Sequence, residues 1–304
     1  MKAFLFPGQG AQYVGMGQTL HERHPAAREV FDLANRALGF DLAAICFNGP
    51  EEELTRTDIS QPAILACSIA ALRAIGTTSF DAAAGLSLGE YTALVAAGAI
   101  DLEEALPLVR DRGTYMQQAA DRHQGTMASI IGLSDTQVQQ AVDQAASAGI
   151  VTAANFNSPG QVVVSGEENA VDEACRIAGE MGCKRALKLK VSGAFHSPLM
   201  EPARRKLAER LASVPIRAPR VPVISNVAAK PAGSAEQIRE LLARQVTESV
   251  RWSDSMKYLL AQGFGEFWEI GPGKVLAGLM RRIGPDATIR NIDGADTLEN
   301  TDGT

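Results

Sequence analysis

The pattern Gly85-Leu86-Ser87-Leu88-Gly89 constrains this chain more than any other five residues. It follows a short apolar stretch and opens an Ala/Leu-rich helical run, which is the sequence form of a nucleophile elbow. A serine on a sharp strand-to-helix turn is pushed out of the fold, and glycines two residues to either side remove Cβ atoms that would collide there. The helix behind it aims free backbone N–H groups at an oxyanion on the substrate. An ordinary Gly-rich turn with an exposed serine also satisfies the bare pattern, so the rest of the chain has to decide.

Around the elbow the apolar spacing reads as α/β. Lys2 to Phe6 is expected as a buried first strand running into Pro7-Gly8-Gln9-Gly10, and Ser60 to Ile75 as a helix. The helix after Ser87 should stop at Gly98, and Asp101 with Glu104 should cap the next one. Pro107 should kink that helix or shorten its first turn, because an interior proline costs about 3 kcal/mol relative to alanine. From Met127 to Lys190 the rhythm changes to strand (128–132), helix (135–146), strand (150–156), strand (161–165), helix (170–181) and strand (185–191). This βαββαβ order, with Ser158-Pro159-Gly160 as its central turn, reads as an inserted ferredoxin-like subdomain over residues 126–190. Leu187, Leu189 and Val191 alternate with Lys188 and Lys190 as a strand with one buried face should. Longer spacing then returns: a helix (199–211), a strand (221–225), a helix (234–245), a last strand (266–270), the turn Gly271-Pro272-Gly273 and a helix (274–283). The large subdomain is therefore discontinuous, residues 1–125 and 191–304. Its polar tail after Ile292 is expected to be mobile.

Composition narrows the function classes. The 304 residues are 46% hydrophobic and 21% charged with a net charge of -6, a globular balance that argues against a general nucleic-acid binder. The apolar run before Pro7-Gly8 is too short for a signal peptide or a membrane span, so a cytoplasmic location and no membrane partner are expected. Cys46, Cys67, Cys175 and Cys183 form no C-x-x-C pair and read as reduced thiols, with no metal site. Two other Gly-rich loops fail as nucleotide sites. Tyr13 stands where a dinucleotide fingerprint needs its third glycine, and Trp268 and Val275 replace the first glycine and the Ser/Thr of a phosphate loop.

A serine hydroxyl needs a base, and histidine is the usual one at neutral pH. His21, His24 and His123 lie in charged or polar segments and read as solvated. His196, in the loop Ser192-Gly193-Ala194-Phe195-His196-Ser197-Pro198, is left as the candidate base, against the alternative of a satisfied structural histidine. Arg112 shares a helical stripe with Leu102, Ala105, Leu106, Val109 and Met116, so a cation sits on an apolar face. Spacing leaves two accounts of it open. One is an internal acidic partner or a side chain that snorkels to water; the other is a clamp for a substrate carboxylate.

With these pieces in place, the chain closely resembles the malonyl-CoA:acyl-carrier-protein transacylase family, including stand-alone acyltransferases that serve polyketide synthases. The resemblance covers nearly the whole chain. It rests on Phe6-Pro7-Gly8-Gln9-Gly10, Gln61-Pro62, Gly85 to Tyr91, Arg112-Gly113 with Met116-Gln117, Asn155 to Gln161, Gly193-Ala194-Phe195-His196-Ser197 and Glu269 to Lys274. It implies an α/β-hydrolase-like core with the ferredoxin-like insert and an active site between them. It also implies a ping-pong acyl transfer, with Ser87 as nucleophile, His196 as base, malonyl-CoA as substrate and no bound cofactor. The holo form of an acyl carrier protein is the implied partner. Further implied roles are an oxyanion hole from the backbone N–H groups of Leu88 and Gln9, Arg112 as the carboxylate clamp, and Gln61, Met116, Asn155 and Phe195 in the substrate site.

The chain departs from the pattern at two positions. Leu86 stands where many members carry histidine, and is expected to reshape the pocket without loss of chemistry. Arg251 stands where some carry glutamine, at a position expected to orient His196 through its backbone carbonyl, giving a Ser–His dyad. Phe195 resembles the malonyl-selective form, although a pocket discriminates one methyl by only about 1–3 kcal/mol. An acidic carrier would need a local positive surface, for which Lys184, Arg185, Lys188, Lys190, Arg204, Arg205, Lys206 and Arg210 are the candidates against the alternative of ordinary solvated faces. The rivals are a same-fold acyl hydrolase that clears carrier proteins, which has no use for Arg112, an idle carrier-binding module, and a general esterase.

Overall fold

The chain is described by a computed structural model that covers residues 1–76 and 79–299. Its first strand, β1 (Lys2–Phe6), lies at the centre of a five-stranded sheet. Successive side chains of a strand point to opposite faces. Accordingly Phe4 and Phe6 join the large core on one face of this sheet, while Ala3 and Leu5 join a second core with Trp252, Met256 and Phe267 on the other. Burial on both faces is the condition for an all-parallel sheet. All pairings are parallel, in the order β7 (Val223–Ile224), β2 (Ala82–Gly85), β1, β8 (Glu266–Ile270), β9 (Thr288–Ile292).

A separate antiparallel sheet has the order β4 (Val151–Ser158), β5 (Gln161–Gly166), β3 (Thr126–Ile131), β6 (Arg185–Lys188). Helices Asp135–Ala145 and Glu168–Glu180 cover it with a core of their own. The segment before helix Trp252–Ala261 is joined to β4 at Val250, whose N–H donates to the Ala154 carbonyl at 2.8 Å and whose carbonyl accepts from Phe156 at 2.9 Å. A register shift between Ala153 and Asn155 makes room for this graft.

Two helices carry the site between the sheets. Thr57–Ile75 is long and apolar enough to cross a membrane, but it is a core helix with Ile59 to Ala71 buried without a break. It meets helix Leu102–Arg122 at Gly113, where a Cβ would stand 2.4 Å from the Thr57 carbonyl oxygen, so only glycine allows the approach.

Several expectations need correction. Helix Leu102–Arg122 continues through Pro107 with its first turn in place rather than shortened, because one missing N–H bond is outweighed by the buried face of Ala105, Leu106, Leu108 and Val109. Asp101 is at its N-cap but makes no side-chain cap; it pairs with Arg217 instead. β8 is not the last strand, since β9 adds beside it. Four helices, Gln18–Arg23, Pro25–Leu38, Leu42–Asn48 and Glu51–Thr55, fill the stretch before Thr57. His21 and His24 are half-buried, with His21 packed on Phe31 and Phe47, and only His123 is exposed. The last strand of the insert ends at Lys188 and Leu187 is 48% exposed, because β6 is an edge strand. In the tail, Ala295–Glu299 is a helix with Ala295 and Leu298 buried; residues 300–304 lie outside the described residues.

Candidate active site

β2 ends at Gly85, and Ser87 turns the chain into helix Leu88–Ala96 with φ 53°, ψ -103°. A positive φ at a non-glycine residue is strained and persists only where the surroundings impose it. They do so here by contact. A Cβ on Gly85 would lie 1.9 Å from the Gly89 carbonyl, and one on Gly89 would lie 2.1 Å from the Phe6 oxygen. Asn226 clamps the turn from the side, accepting the Ser87 N–H on Oδ1 at 2.6 Å and donating Nδ2 to the Gly85 oxygen at 2.7 Å.

His196, also at positive φ (56°), places Nε2 2.9 Å from Ser87 Oγ. Its Nδ1 is 2.6 Å from the Gln245 backbone oxygen. A carbonyl can only accept, so Nδ1 carries the proton and Nε2 presents its lone pair to the serine. Burial and the nearby Arg112 charge push the His196 pKa down to about 4, which keeps the ring neutral and able to take a proton at neutral pH.

Arg112 is 1% exposed. Its guanidinium donates to Gln61 Oε1 at 2.7 Å, Gln245 Oε1 at 3.0 Å and Ser87 Oγ at 3.0 Å, and lies 5.4 Å from the Tyr91 ring centroid. Among the described residues no carboxylate pairs with it, its Nε has no hydrogen-bond partner, and burial lowers its pKa. The side chain therefore does not snorkel to water, and the nearest acid, Glu90, acts on the guanidinium only through space and across the Gln245 amide, without a direct ion pair.

Ser87 and His196 open onto a cavity of about 600 Å³ whose lining includes Gln9, Leu86, Met116, Asn155 and Phe195, with Arg112 behind that lining and reaching the site through Ser87 Oγ. Met127 from β3 and Val163 from β5 close its other side, so the cavity lies between the two sheets. Gln61 and Leu88 are fully buried behind that lining. Gln61 serves Arg112 and directs Nε2 at the Met116 sulfur, 3.7 Å away, so it acts from behind the wall.

Arg251 does not orient His196. It is the N-cap of helix Trp252–Ala261, its carbonyl is taken by the Ser255 N–H at 2.9 Å, and its exposed side chain pairs with Asp254 at 2.8 Å. The carbonyl on His196 belongs to Gln245, in the last turn of helix Ala235–Gln245, where backbone oxygens lack intrahelical donors. The sequence assigns no role to Gln245 or Asn226, and carries Glu90 only as part of the Gly85 to Tyr91 motif. The available signal was an uncharged polar residue, Gln245, on the otherwise apolar stripe Ile238, Leu241, Leu242. The basic surface is also less free than its charges suggest. Arg204 and Arg205 pair with Glu201, Arg210 with Asp111, and Lys188 with Glu168 and Asp172. Lys190 lines the cavity.

A strained serine under a neutral histidine, with a buried guanidinium free for an acid, is built to carry an acyl group: the protein is an acyltransferase. Residues 3–290 match the family described as acyl transferase domain. The malonyl CoA-acyl carrier protein transacylase of Escherichia coli strain K12 is 46% identical over 284 residues, 92% of each chain. That of Bacillus subtilis strain 168 is 44% identical over 300 residues, 98% of this chain and 95% of the relative. The solved Coxiella burnetii transacylase superposes with a TM-score of 0.96 at 41% identity, covering 99% of this chain and 96% of its own. A malonyl-transacylase solved in complex with its type II PKS acyl-carrier protein superposes equally, TM-score 0.96 at 43% identity over 98% of both chains. This chain belongs to the malonyl CoA-acyl carrier protein transacylase family.

Proposed function

We propose that the protein moves a malonyl group from malonyl-CoA to the phosphopantetheine thiol of a holo acyl carrier protein, in fatty-acid or polyketide chain extension. The observation that carries this reading is Arg112, a buried cation with no carboxylate partner among the described residues and 3.0 Å from Ser87 Oγ. A charge buried without a direct ion-pair partner is costly, and the free carboxylate of a malonyl thioester supplies that partner beside the nucleophile.

In the first half-reaction His196 Nε2 takes the Ser87 proton as Oγ attacks the thioester carbonyl. The oxyanion is received by the backbone N–H groups of Leu88 and Gln9, neither of which has an acceptor among the described residues. Collapse expels the CoA thiol, which leaves with the proton held by His196. The carrier thiol then gives its proton to His196, attacks the malonyl-serine ester, and Ser87 recovers its proton on release. Met116, Asn155 and Phe195 shape the acyl end of the cavity.

The finer architecture belongs to the same reading: an α/β-hydrolase-like core from residues 1–125 and 191–304, and a ferredoxin-like insert over 126–190. The βαββαβ order of β3 to β6 with its two covering helices supports it. A cytoplasmic setting is supported by the four unpaired cysteines.

The test is intact mass spectrometry of a holo acyl carrier protein after incubation with malonyl-CoA and catalytic enzyme, with Ser87→Ala as control. A malonyl adduct that depends on Ser87 is expected. Free malonate with an unloaded carrier points to the hydrolase, and no turnover sinks the malonyl assignment.

A further inference from the structure

Ser87 and Glu90 stand three residues apart at the start of helix Leu88–Ala96, the spacing of a capping box. In that motif the acid reaches back to the backbone N–H of the capping serine. Here it does not: Ser87 makes no side-chain cap, and its N–H goes to Asn226 Oδ1. The Glu90 side chain, 4% exposed, turns inward and uses one oxygen twice. Oε2 accepts the Asn226 backbone N–H at 3.0 Å and the Gln245 Nε2–H at 2.7 Å.

Gln245 is the hub of the site. Its Nε2 also donates to the Ser87 carbonyl at 3.0 Å, its Oε1 accepts from Arg112 at 3.0 Å, and its backbone oxygen holds His196 Nδ1 at 2.6 Å. An amide side chain has two orientations, and only one of them suits Arg112. Flipped, it would turn N–H donors toward a guanidinium, which can only donate, and an oxygen toward the oxygens of Glu90 and Ser87. Three acceptors select the orientation, the Ser87 carbonyl at 3.0 Å, Asn226 Oδ1 at 3.4 Å and Glu90 Oε2, which at 2.7 Å is the shortest and the only charged group among them.

We propose that Glu90 is a positioning residue for acyl transfer, fixing the Gln245 amide with its oxygen on Arg112 so that the carboxylate clamp stays in register with Ser87. This rests on the reading of Arg112 as the clamp. Burial raises the Glu90 carboxyl to about 7 against the pull of its hydrogen bonds and of the Arg112 charge, a cost that a surface cap would not incur. The role asks only for an oxygen. Because a single oxygen accepts both bonds, an amide in place of the acid can do the same work.

The experiment compares wild type, Glu90→Gln, Glu90→Leu and Gln245→Met in malonyl transfer from malonyl-CoA to a holo carrier protein. In parallel, each is labelled at Ser87 with an uncharged fluorophosphonate, which needs the serine and histidine but not the clamp. Glu90→Leu is expected to raise the KM for malonyl-CoA about tenfold or more, the scale of a lost hydrogen bond to a charged group. Its labelling rate should change by less than about threefold, and Glu90→Gln should restore the KM to near wild type. Gln245→Met keeps the backbone carbonyl and should reproduce the same split, with the double variant no worse than either single change. If Glu90→Leu does not fold, Gln245→Met and Glu90→Gln still carry the test. An unchanged KM in Glu90→Leu or in Gln245→Met overturns the proposal. So does a loss of labelling in step with transfer, which would make Glu90 a packing element of the elbow. Both results require a wild type that loads malonyl. A wild type that loads none removes the clamp and overturns the transferase reading along with this one.

Discussion

At the scale of single residues, the chemistry depends on charges held out of water. His196 must be neutral to act as a base, and burial beside Arg112 brings its pKa down to about 4. The acid limb of kcat/KM should therefore fall near pH 4, well below an ordinary histidine; a pH–rate profile with its acid limb near 6.5 would show the ring to be solvated in the free enzyme. Arg112→Ala should lower kcat/KM for malonyl-CoA by about 10- to 150-fold, the range of a hydrogen bond to a charged group of about 1.5–3 kcal/mol. Arg112→Lys should rescue it only in part, since an ammonium cannot hold Gln61, Gln245 and a carboxylate with one planar fork. Comparison of the three steady-state rate constants decides this. The residue roles themselves were readable to different depths. Ser87 and His196 stand out by motif and by elimination, whereas the partner of His196 is a backbone oxygen, and every residue type carries one. That is why the resemblance points to the Arg251 carbonyl while the structure uses that of Gln245: side-chain identity says nothing about which carbonyl a helix end leaves free.

Among the elements, the positions that set the site are contacts between backbones. Gly113→Ala would force a Cβ to within 2.4 Å of the Thr57 carbonyl, at the crossing of the two helices that carry Arg112 and Gln61. The substitution should cost about 1–3 kcal/mol in urea unfolding and also raise the KM for malonyl-CoA, because the crossing sets the guanidinium against its partners. Gly89→Ala, with its Cβ 2.1 Å from the Phe6 oxygen, should be at least as destabilising and should abolish Ser87 labelling by opening the elbow. Unfolding curves and probe labelling of the two variants check both. The βαββαβ rhythm was legible because its strands and helices keep their periods. Helix Pro25–Leu38 is legible too, with proline at its first position, Gly39 after its end and Val30, Phe31, Ala34 and Leu38 on one face. β9 was not legible: Thr-Ile-Arg-Asn-Ile is a short, half-buried edge strand identified only by its partner β8.

For the whole molecule, buried titrating groups oppose each other across pH. Burial raises Glu90 and Glu269 to about 7, so folding favours their protonated forms; that stabilisation is complete below pH 4.5 and is lost as pH rises through 7. His196 runs the other way, its contribution complete above pH 6.5 and lost as pH falls toward 4. Two carboxyls against one imidazole predict a Tm that declines from pH 5 to pH 8. Glu269→Gln should flatten that decline, and an equal slope in scanning calorimetry would show that Glu269 does not titrate in this range. Sequence alone determined the elbow, the apolar run that makes β1 a buried strand, the two rhythms of the chain and the family, because each is carried by local spacing or by residue types in order. Tertiary structure alone decided that, among the described residues, no carboxylate pairs directly with Arg112, that Gln245 joins the serine, the base and the arginine, and that Glu90 turns inward from its cap. Those contacts join residues 25 to 158 positions apart, and nothing in local spacing specifies which distant groups a buried charge will meet.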